Sequence, residues 1–235
     1  MNDNQLTALP FFQLLRPETT QTLWDHGQVR RFSKRRLLFQ PGDLMQTLHF
    51  QLSGKSFIYT VTPSGQRKVH FVCGRGELLN QNTLNPSVCA SYCEMMEESQ
   101  IFSVPSEVVA RCMRSDFELV RALVAAQERK LWRLEHQLKN TVSSMYMERK
   151  LAAKLWKLSR DFGIQRPDGV EIDMELSVSF LADMLGVPRE TTSRLRSALV
   201  RSRLISVQGK RITVIDPEGI VRLYHDGILP PPVQS

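Results

Sequence analysis

The chain of 235 residues carries a formal net charge of +7 and has a hydrophobic fraction of 42%. These values describe a globular protein that is long enough for two domains. No apolar run approaches the roughly 18 residues that a membrane-spanning helix needs, and the first residues lack the basic and then apolar layout of a secretory signal. We therefore expect a cytoplasmic protein that does not engage a membrane.

Cysteine usage argues against a disulfide scaffold. The chain has four cysteines, which are too few for a stapled fold of this length. Cys89 and Cys93 are close in sequence, but no second close pair accompanies them, so the signal for a zinc site is weak. We expect reduced thiols that are largely buried and no bound metal.

The positive charge is concentrated near the C-terminus. Between Val187 and Arg211, Glu190 is the single acidic residue. The cationic residues of the same stretch are Arg189, Arg194, Arg196, Arg201, Arg203, Lys210 and Arg211. In contrast, the segment 76–110 contains glutamates and neither lysine nor arginine. A basic cluster of this kind is the usual electrostatic footprint of nucleic-acid binding, so we expect the two ends of the chain to have different tasks.

The N-terminal half predicts a β-rich domain. Short helical pieces are expected between residues 5 and 27. From about residue 29, short runs rich in β-forming residues alternate with glycine-containing turns. These runs lie at 36–39, 47–52, 55–61, 67–73 and 99–104. Regularly spaced short strands of this type indicate a β-sandwich or barrel.

Residues 117–145 predict one long helix. Leu131, Leu138 and Met145 recur every seven residues and Leu134 occupies the interleaved position, which gives the a and d seam of a coiled coil. Such a seam either packs on its own domain or pairs with the same helix of a second chain. Because the other faces of the helix are polar, we favour a parallel homodimer.

A second helix is expected at 149–160, and the segment from Leu176 onward shows the pattern of a helix-turn-helix. Ser177 is a natural N-cap, Ala182 allows the two helices to approach closely, and Gly186 suits the sharp turn between them. The second helix is expected to begin near Pro188. Its first two turns hold the side chains that we expect to face DNA bases: Arg189, Glu190, Ser193 and Arg194.

These residue types suit the reading of base pairs. Arginine can donate two hydrogen bonds to O6 and N7 of guanine, and glutamate can accept one from N4 of cytosine. Glu190 and Arg194 are four residues apart and therefore lie on one face of a helix. Residues 204–215 then predict two strands around a glycine turn, the wing of a winged helix, with Lys210 at its tip. The alternative, an ordinary solvated helix face, does not account for the turn spacing, the charge cluster and the wing together.

On these residues the sequence resembles the family of the cyclic-AMP receptor protein and the fumarate–nitrate reduction regulator. The most specific motif is Arg189-Glu190-Thr191-Thr192-Ser193-Arg194, which combines patterns of both branches. Glycines 42, 54, 65 and 76 fall where the sensory jelly roll of the family has its turns. The resemblance implies an α+β fold with an N-terminal double-stranded β-helix (jelly roll), a long dimerisation helix and a C-terminal winged helix-turn-helix.

The resemblance also implies roles and boundaries. Carried over position by position, Arg189, Glu190, Ser193 and Arg194 would face bases, in a half-site between the TGTGA and TTGA types of the family. Ser177, Ser179 and Lys210 would contact phosphates. The implied divisions are 1–116 for effector sensing, 117–147 for dimerisation, 148–228 for DNA binding and 229–235 as a flexible tail.

The sequence departs from the family pattern where the known effectors bind. Asn80-Gln81 stands where cyclic-AMP binders carry Gly-Glu, and Cys89-Ala90 stands where they carry Arg-Ser. A nucleotide phosphate needs a cationic or strongly donating partner, so we do not expect cyclic-nucleotide binding. No cysteine precedes Cys73, so the N-terminal iron–sulfur cluster of the oxygen-sensing branch is not expected either.

The effector and any cofactor therefore remain unknown, with three hypotheses open. The first is an uncharged or cationic metabolite in a jelly-roll pocket formed by Asn80, Gln81, Cys89, Ala90, Glu135 and His136. The second is haem, with axial candidates His26, His49, His70 and His136. The third is thiol chemistry at Cys89 and Cys93.

Two alternatives come from other classes of protein. A cupin-like metal enzyme needs clustered histidine and carboxylate ligands, whereas His49 and His70 stand singly. A signalling adaptor would lack the DNA role that the basic cluster indicates. We expect a regulator without enzymatic activity that binds double-stranded DNA as a homodimer, responds to a small molecule and, as the resemblance implies, contacts RNA polymerase.

Overall fold

The computed structural model describes residues 4–80, 84–85, 87–139 and 147–227. The chain divides into two compact units. The N-terminal unit comprises Met1–Val61 and Val69–Gln137, and the C-terminal unit comprises Thr62–Lys68 and Leu138–Ser235.

The N-terminal unit is built from short strands and from helices at both ends. Its helices are α1 (Asn4–Thr7), α2 (Pro17–His26), α3 (Ser106–Cys112) and the long helix α4 (Phe117–Lys139). The strands are β1 (Gln28–Phe32), β2 (Leu37–Phe39), β3 (Leu44–Met45), β4 (Thr47–Ser53), β5 (Ser56–Val61), β6 (Arg67–Cys73), β7 (Ser87–Val88), β8 (Tyr92–Met95) and β9 (Ser99–Pro105). They form sheets in the orders β1-β9-β4 and β2-β8-β5-β6, and β3 pairs with β7. The strands predicted from the sequence are observed at these places.

Strand periodicity determines which side chains enter the two cores of this unit. In β4, Leu48, Phe50 and Leu52 are buried, as the period of two requires for one face of a strand. They pack with the N-terminal helical segment and with α3 and α4 in one core cluster. A second cluster draws on β2, β5, β6, β8 and β9 and fills the barrel interior. Phe39, Ile58 and Ile101 belong to it.

One face of the long helix α4 packs against the N-terminal unit. Leu119, Leu123 and Ala126 are buried against the first core cluster, at the spacing of three and four residues that places them on one face. The predicted start at Phe117 is observed, and the helix is described as far as Lys139. Residues 140–145 of the predicted helix lie outside the described residues.

The C-terminal unit is a small helical domain with an antiparallel sheet. Its elements are α5 (Met147–Phe162), β10 (Gly163–Arg166), β11 (Gly169–Ile172), α6 (Val178–Leu185), α7 (Arg189–Arg201), β12 (Ile205–Gln208), β13 (Arg211–Val214) and α8 (Pro217–Asp226). The sheet order is β10-β11-β13-β12. Asp216 caps α8 by accepting a hydrogen bond from the Gly219 amide at 2.8 Å, and Pro217 occupies the first helical turn, as the sequence predicts.

Together these elements have the predicted architecture: jelly roll, long helix and winged helix-turn-helix. Within the described ranges, no helix combines the length and the apolar character that crossing a bilayer requires.

The turn between β4 and β5 depends on a glycine. Gly54 has a φ of +74°, a conformation that residues with a Cβ rarely adopt. A Cβ atom on Gly54 would also collide with the carbonyl oxygen of Glu98 and with Ser99. Gly65 has a similar φ of +81°, but no atom lies within 4 Å of the place of its Cβ.

These two glycines make a matched pair for a stability test. We expect Gly65→Ala to cost about 1–2 kcal/mol, because only the left-handed backbone is strained. Gly54→Ala should cost clearly more, because the collision with backbone is added to the same strain. Thermal unfolding followed by circular dichroism compares them. Equal midpoints for the two variants would contradict the close approach at Gly54.

Candidate nucleic-acid interface and effector site

Backbone capping fixes the helix-turn-helix geometry. The Ser177 hydroxyl accepts a hydrogen bond from the Phe180 amide at 3.1 Å, which satisfies one of the free donors at the start of α6. At the other end, Gly186 has a φ of +74° and its amide donates to the Ala182 carbonyl at 2.7 Å. This left-handed cap turns the chain sharply into α7. The predicted cap at Ser177 and the predicted turn at Gly186 are observed.

One face of α7 is anchored in the core of the unit. Thr192, Leu195 and Leu199 are buried, and the Thr192 hydroxyl donates to the Pro188 carbonyl at 3.2 Å. Because these positions share one side of the helix, the first turns of α7 present their other side chains away from the core.

The exposed face of α7 carries the predicted base-reading residues. Arg189, Glu190 and Arg194 are exposed and Ser193 is partly exposed. Among the described residues, no ion pair or hydrogen bond engages the side chains of Arg189, Glu190 or Arg194. Their charged groups are therefore available to a ligand that approaches this face.

The predicted phosphate contacts lie on the same unit. Ser179 is exposed in the first turn of α6. Ser177 already accepts its capping bond, but its hydroxyl hydrogen can still be donated. Lys210 is exposed in the turn of the wing, where its ammonium lies 3.7 Å from Glu175. An exposed pair of this kind contributes little free energy, so Lys210 can exchange Glu175 for a phosphate.

Carboxylates partly compensate the positive charge of the wing, and the count of cations in the sequence did not show this. The Arg211 guanidinium lies 3.1 Å from Asp173 and 3.9 Å from Glu171. These acids precede the basic cluster in sequence and reach it through the pairing of β11 with β13. The uncompensated positive charge is therefore concentrated on α7 rather than on the wing.

A stripe of exposed apolar side chains runs along α4. Phe117, Val124, Leu131 and Leu138 are 70%, 51%, 59% and 64% exposed, and they recur every seven residues. Leu131 and Leu138 were predicted from the sequence, whereas Phe117 and Val124 were not, although the same spacing extends to them. Met145 lies outside the described residues.

Leu134, the interleaved residue of the predicted seam, has a contact within its own unit. It is partly buried and packs against the barrel core, so it does not belong to the exposed stripe defined above. Because residues three apart are also the a and d positions of a coiled coil, its place in the seam stays a prediction.

The predicted effector residues on α4 need correction. Glu135 and His136 are exposed, and the His136 ring lies 3.7 Å from that of Trp132. Polar side chains of α4 that do contact the barrel include Lys130, Arg133 and Gln137. The predicted residues lie in the right segment of the helix but on the wrong face, because the rotation of the helix relative to the barrel depends on tertiary contacts.

The predicted pocket residues of the barrel have structural partners. The Asn80 side chain is buried, accepts from the His49 amide and donates to the Thr47 carbonyl, both at 2.9 Å. Cys89 is buried and Ala90 is exposed, so these two do not share one lining. Gln81 lies outside the described residues.

A cleft of about 510 Å³ lies beside α4 in the N-terminal unit. Its lining includes Phe71, Leu84, Leu123, Lys130 and Leu134. The Lys130 ammonium donates to the carbonyls of Leu79 and Asn80 at 3.2 and 2.9 Å. The lack of cations within 76–110 therefore does not exclude an anionic effector, because the Lys130 ammonium reaches this segment from α4.

The four thiols are buried. Burial raises the pKa of Cys93 to about 12, and burial together with Glu77 raises the pKa of Cys73 well above its ordinary value. Since the thiolate is the reactive species, this environment disfavours the hypothesis of thiol sensing at Cys93.

The histidines proposed as haem ligands have other partners. His49 is largely buried, contacts the Ser103 hydroxyl at 2.8 Å, and has a pKa lowered to about 4 by burial and by Arg30. His70 contacts the Thr60 hydroxyl at 2.9 Å. His26 contacts the Thr22 carbonyl within α2. The lining of the cleft contains no histidine among the described residues.

Comparison with known proteins gives two family matches that together span most of the chain. Residues 29–116 match the cyclic nucleotide-binding domain, and residues 149–223 match the Crp-like helix-turn-helix domain.

Curated relatives extend the likeness over the whole fold. The global nitrogen regulator of Synechococcus elongatus is 30% identical over 203 residues, which cover 84% of this chain and 90% of the relative. The fumarate and nitrate reduction regulatory protein of Vibrio cholerae is 24% identical over 186 residues, covering 79% of this chain and 74% of the relative.

Solved structures share the fold at lower identity. The c-di-GMP-responsive global regulator CLP of Xanthomonas campestris has a TM-score of 0.74 at 18% identity, covering 86% of this chain and all of that one. FixK2 of Bradyrhizobium japonicum also has a TM-score of 0.74, at 17% identity, covering 88% of this chain and 99% of that one.

The burial of the thiols leads to a prediction. At pH 7.5 we expect all four native thiols to react with Ellman's reagent much more slowly than a thiol in Ser64→Cys, because Ser64 is exposed. In urea, all should react rapidly. Fast reaction of Cys89 or Cys93 in the native protein would restore thiol sensing as a hypothesis.

Proposed function

The chain belongs to the Crp/Fnr family of bacterial transcription regulators, and we propose that it binds a palindromic promoter site as a homodimer, with α7 of each subunit in a major groove. The observation that carries this proposal is the exposed face of α7, where Arg189, Glu190 and Arg194 stand without partners among the described residues. A recognition helix contacts bases through the residues of its N-terminal turns. These three lie in the first two turns of α7.

The chemistry of these side chains favours G·C base pairs. Arg189 and Arg194 can each donate two hydrogen bonds to guanine, and Glu190 can accept from cytosine on the opposite strand. Ser193 has room to contact either. Ser177, Ser179 and Lys210 would contact phosphates and hold the helix in register without reading sequence. The expected half-site is of the TGTGA or TTGA type.

The exposed stripe of α4 supports dimerisation. Four large apolar side chains at intervals of seven residues are costly to leave in water, and this spacing is that of a coiled-coil seam. A parallel dimer would bury them and relate two α7 helices by a two-fold axis. Their spacing would then match half-sites about one helical turn of DNA apart, roughly 34 Å.

The N-terminal unit would supply control. We assign residues 1–116 to effector sensing, 117–147 to dimerisation and 148–228 to DNA binding. An effector that binds one arrangement of the α4 helices better than another shifts the population of DNA-competent dimers. Since Cys89-Ala90 replaces the Arg-Ser pair of cyclic-AMP binders, the effector is not expected to be cyclic AMP. Contact with RNA polymerase, as in the family, would convert DNA binding into activation or repression.

The base-reading role of Arg194 can be tested on duplexes selected from a randomised pool by the wild type. Arg194→Ala should lose about 1–3 kcal/mol of discrimination, measured by fluorescence anisotropy as the affinity ratio between selected and scrambled duplexes. Lys210→Ala should weaken binding to both duplexes and reduce the salt dependence. Arg222→Ala is the control, because Arg222 is paired with Asp216 and Glu218 on α8. Unchanged discrimination in Arg194→Ala would refute base reading by this residue.

Dimerisation through the stripe is tested by Leu131→Asp. A buried carboxylate in the seam is expected to shift the mass seen by light scattering from dimer towards monomer and to weaken binding to the selected duplex more than tenfold. Arg129→Gln changes the net charge by the same amount on the opposite side of the seam, where Arg129 is exposed, and should remain dimeric. A dimeric Leu131→Asp protein with wild-type DNA affinity would exclude the stripe as the interface.

A further inference from the structure

The cleft beside α4 combines apolar walls with one partly buried ammonium group. Phe71 of β6 and Leu123 and Leu134 of α4 contribute the apolar surface, together with Leu84. Lys130 lines the same cleft. Glu128 also lies in the lining, but it is exposed to solvent, where water and salt screen its charge.

The Lys130 ammonium has neutral partners. It donates to the carbonyl oxygens of Leu79 and Asn80, which leaves one of its three donors for another acceptor. Glu77 is the carboxylate whose charge acts on the Lys130 ammonium. Glu77 is itself paired with Arg133, whose guanidinium nitrogen lies 2.7 Å from its carboxylate oxygen. Within the part of the chain that the structure describes, no carboxylate lies within ion-pair distance of Lys130.

A partly buried ammonium without a paired carboxylate is costly to the fold. Burial lowers the pKa of Lys130, and Cys73 and Glu77 only partly oppose this effect. Two carbonyl dipoles satisfy hydrogen bonds but do not neutralise a charge. An anion placed beside Lys130 would neutralise it and would accept a short charge-assisted hydrogen bond.

We propose that this cleft binds an apolar monocarboxylate, whose carboxylate pairs with Lys130 and whose hydrocarbon part lies against Phe71, Leu123 and Leu134. The inference rests on the proposed role of the N-terminal unit in effector sensing. The volume falls within the usual range of small-molecule sites, about 300–1,000 Å³. A ligand with a single negative charge fits this site, because Lys130 is the one cation among the described residues of the lining. A phosphate or dicarboxylate would leave charge uncompensated in an apolar setting.

The experiment compares acids with neutral amides of the same shape. Phenylacetate and octanoate are titrated into the full-length protein by isothermal calorimetry, alongside phenylacetamide and octanamide. At least one acid should bind, and its amide should bind at least tenfold more weakly. Lys130→Met should weaken binding of the acid at least tenfold and leave the amide unchanged. Lys130→Arg should retain part of the affinity, and Arg129→Met, on the exposed side of α4, should behave like the wild type.

Three results would overturn the inference: neither acid binds, acid and amide bind equally, or Lys130→Met binds the acid as the wild type does. The first two use only the wild type, so a variant that fails to fold does not remove the test. Binding to the selected duplex is measured on the same preparations. Wild-type protein that reads its duplex but binds no acid refutes this inference alone, whereas a wild type without sequence-selective DNA binding counts against the proposed function.

Discussion

The structure depends on a single helix, α4, which has one apolar face buried in its own chain and a second apolar face exposed to solvent. Along α4, Leu119, Leu123 and Ala126 are buried in the N-terminal core, while Phe117, Val124 and Leu131 are exposed. Both sets follow a helical repeat, but they lie on different sides of the cylinder. The inner face is fixed by the barrel of the same chain. The outer face is exposed to solvent in the single chain, and this asymmetry favours the association of two chains that we propose.

In the C-terminal unit, stability and recognition are likewise assigned to opposite sides of one helix. Thr192, Leu195 and Leu199 hold α7 in the core, and the caps at Ser177 and Gly186 set its direction. The residues that would read DNA contribute nothing visible to this framework, since Arg189 and Arg194 make no ion pair among the described residues. Their replacement is therefore expected to change specificity without unfolding the unit, which makes the motif readily adaptable to different promoters.

The sequence was most informative where structure is decided locally. Strand alternation, glycine turns, the Ser177 cap and the left-handed Gly186 all follow from the preferences of a few neighbouring residues, and each was found where predicted. Prediction was weaker where distant segments meet. The sequence could not show that Lys130 contacts Leu79 and Asn80, since some 50 residues separate them. Nor could it show which face of α4 meets the barrel, and for this reason Glu135 and His136 were misassigned. The compensation of Arg211 by Asp173 was missed in the same way, because it depends on the register of the wing.

The position of Lys130 next to Leu131 joins two of these features. Leu131 belongs to the exposed stripe and also lines the cleft, so one turn of α4 would serve both the proposed seam and the proposed ligand. A change in the contacts of Lys130 with Leu79 and Asn80 would alter how this turn is held against the barrel, and the same turn would carry an apolar side chain into the proposed seam. Control of this kind needs no long pathway through the protein. It requires only that the two arrangements of the helix differ in their affinity for the ligand, and a buried charge that gains a counter-ion in one of them provides such a difference.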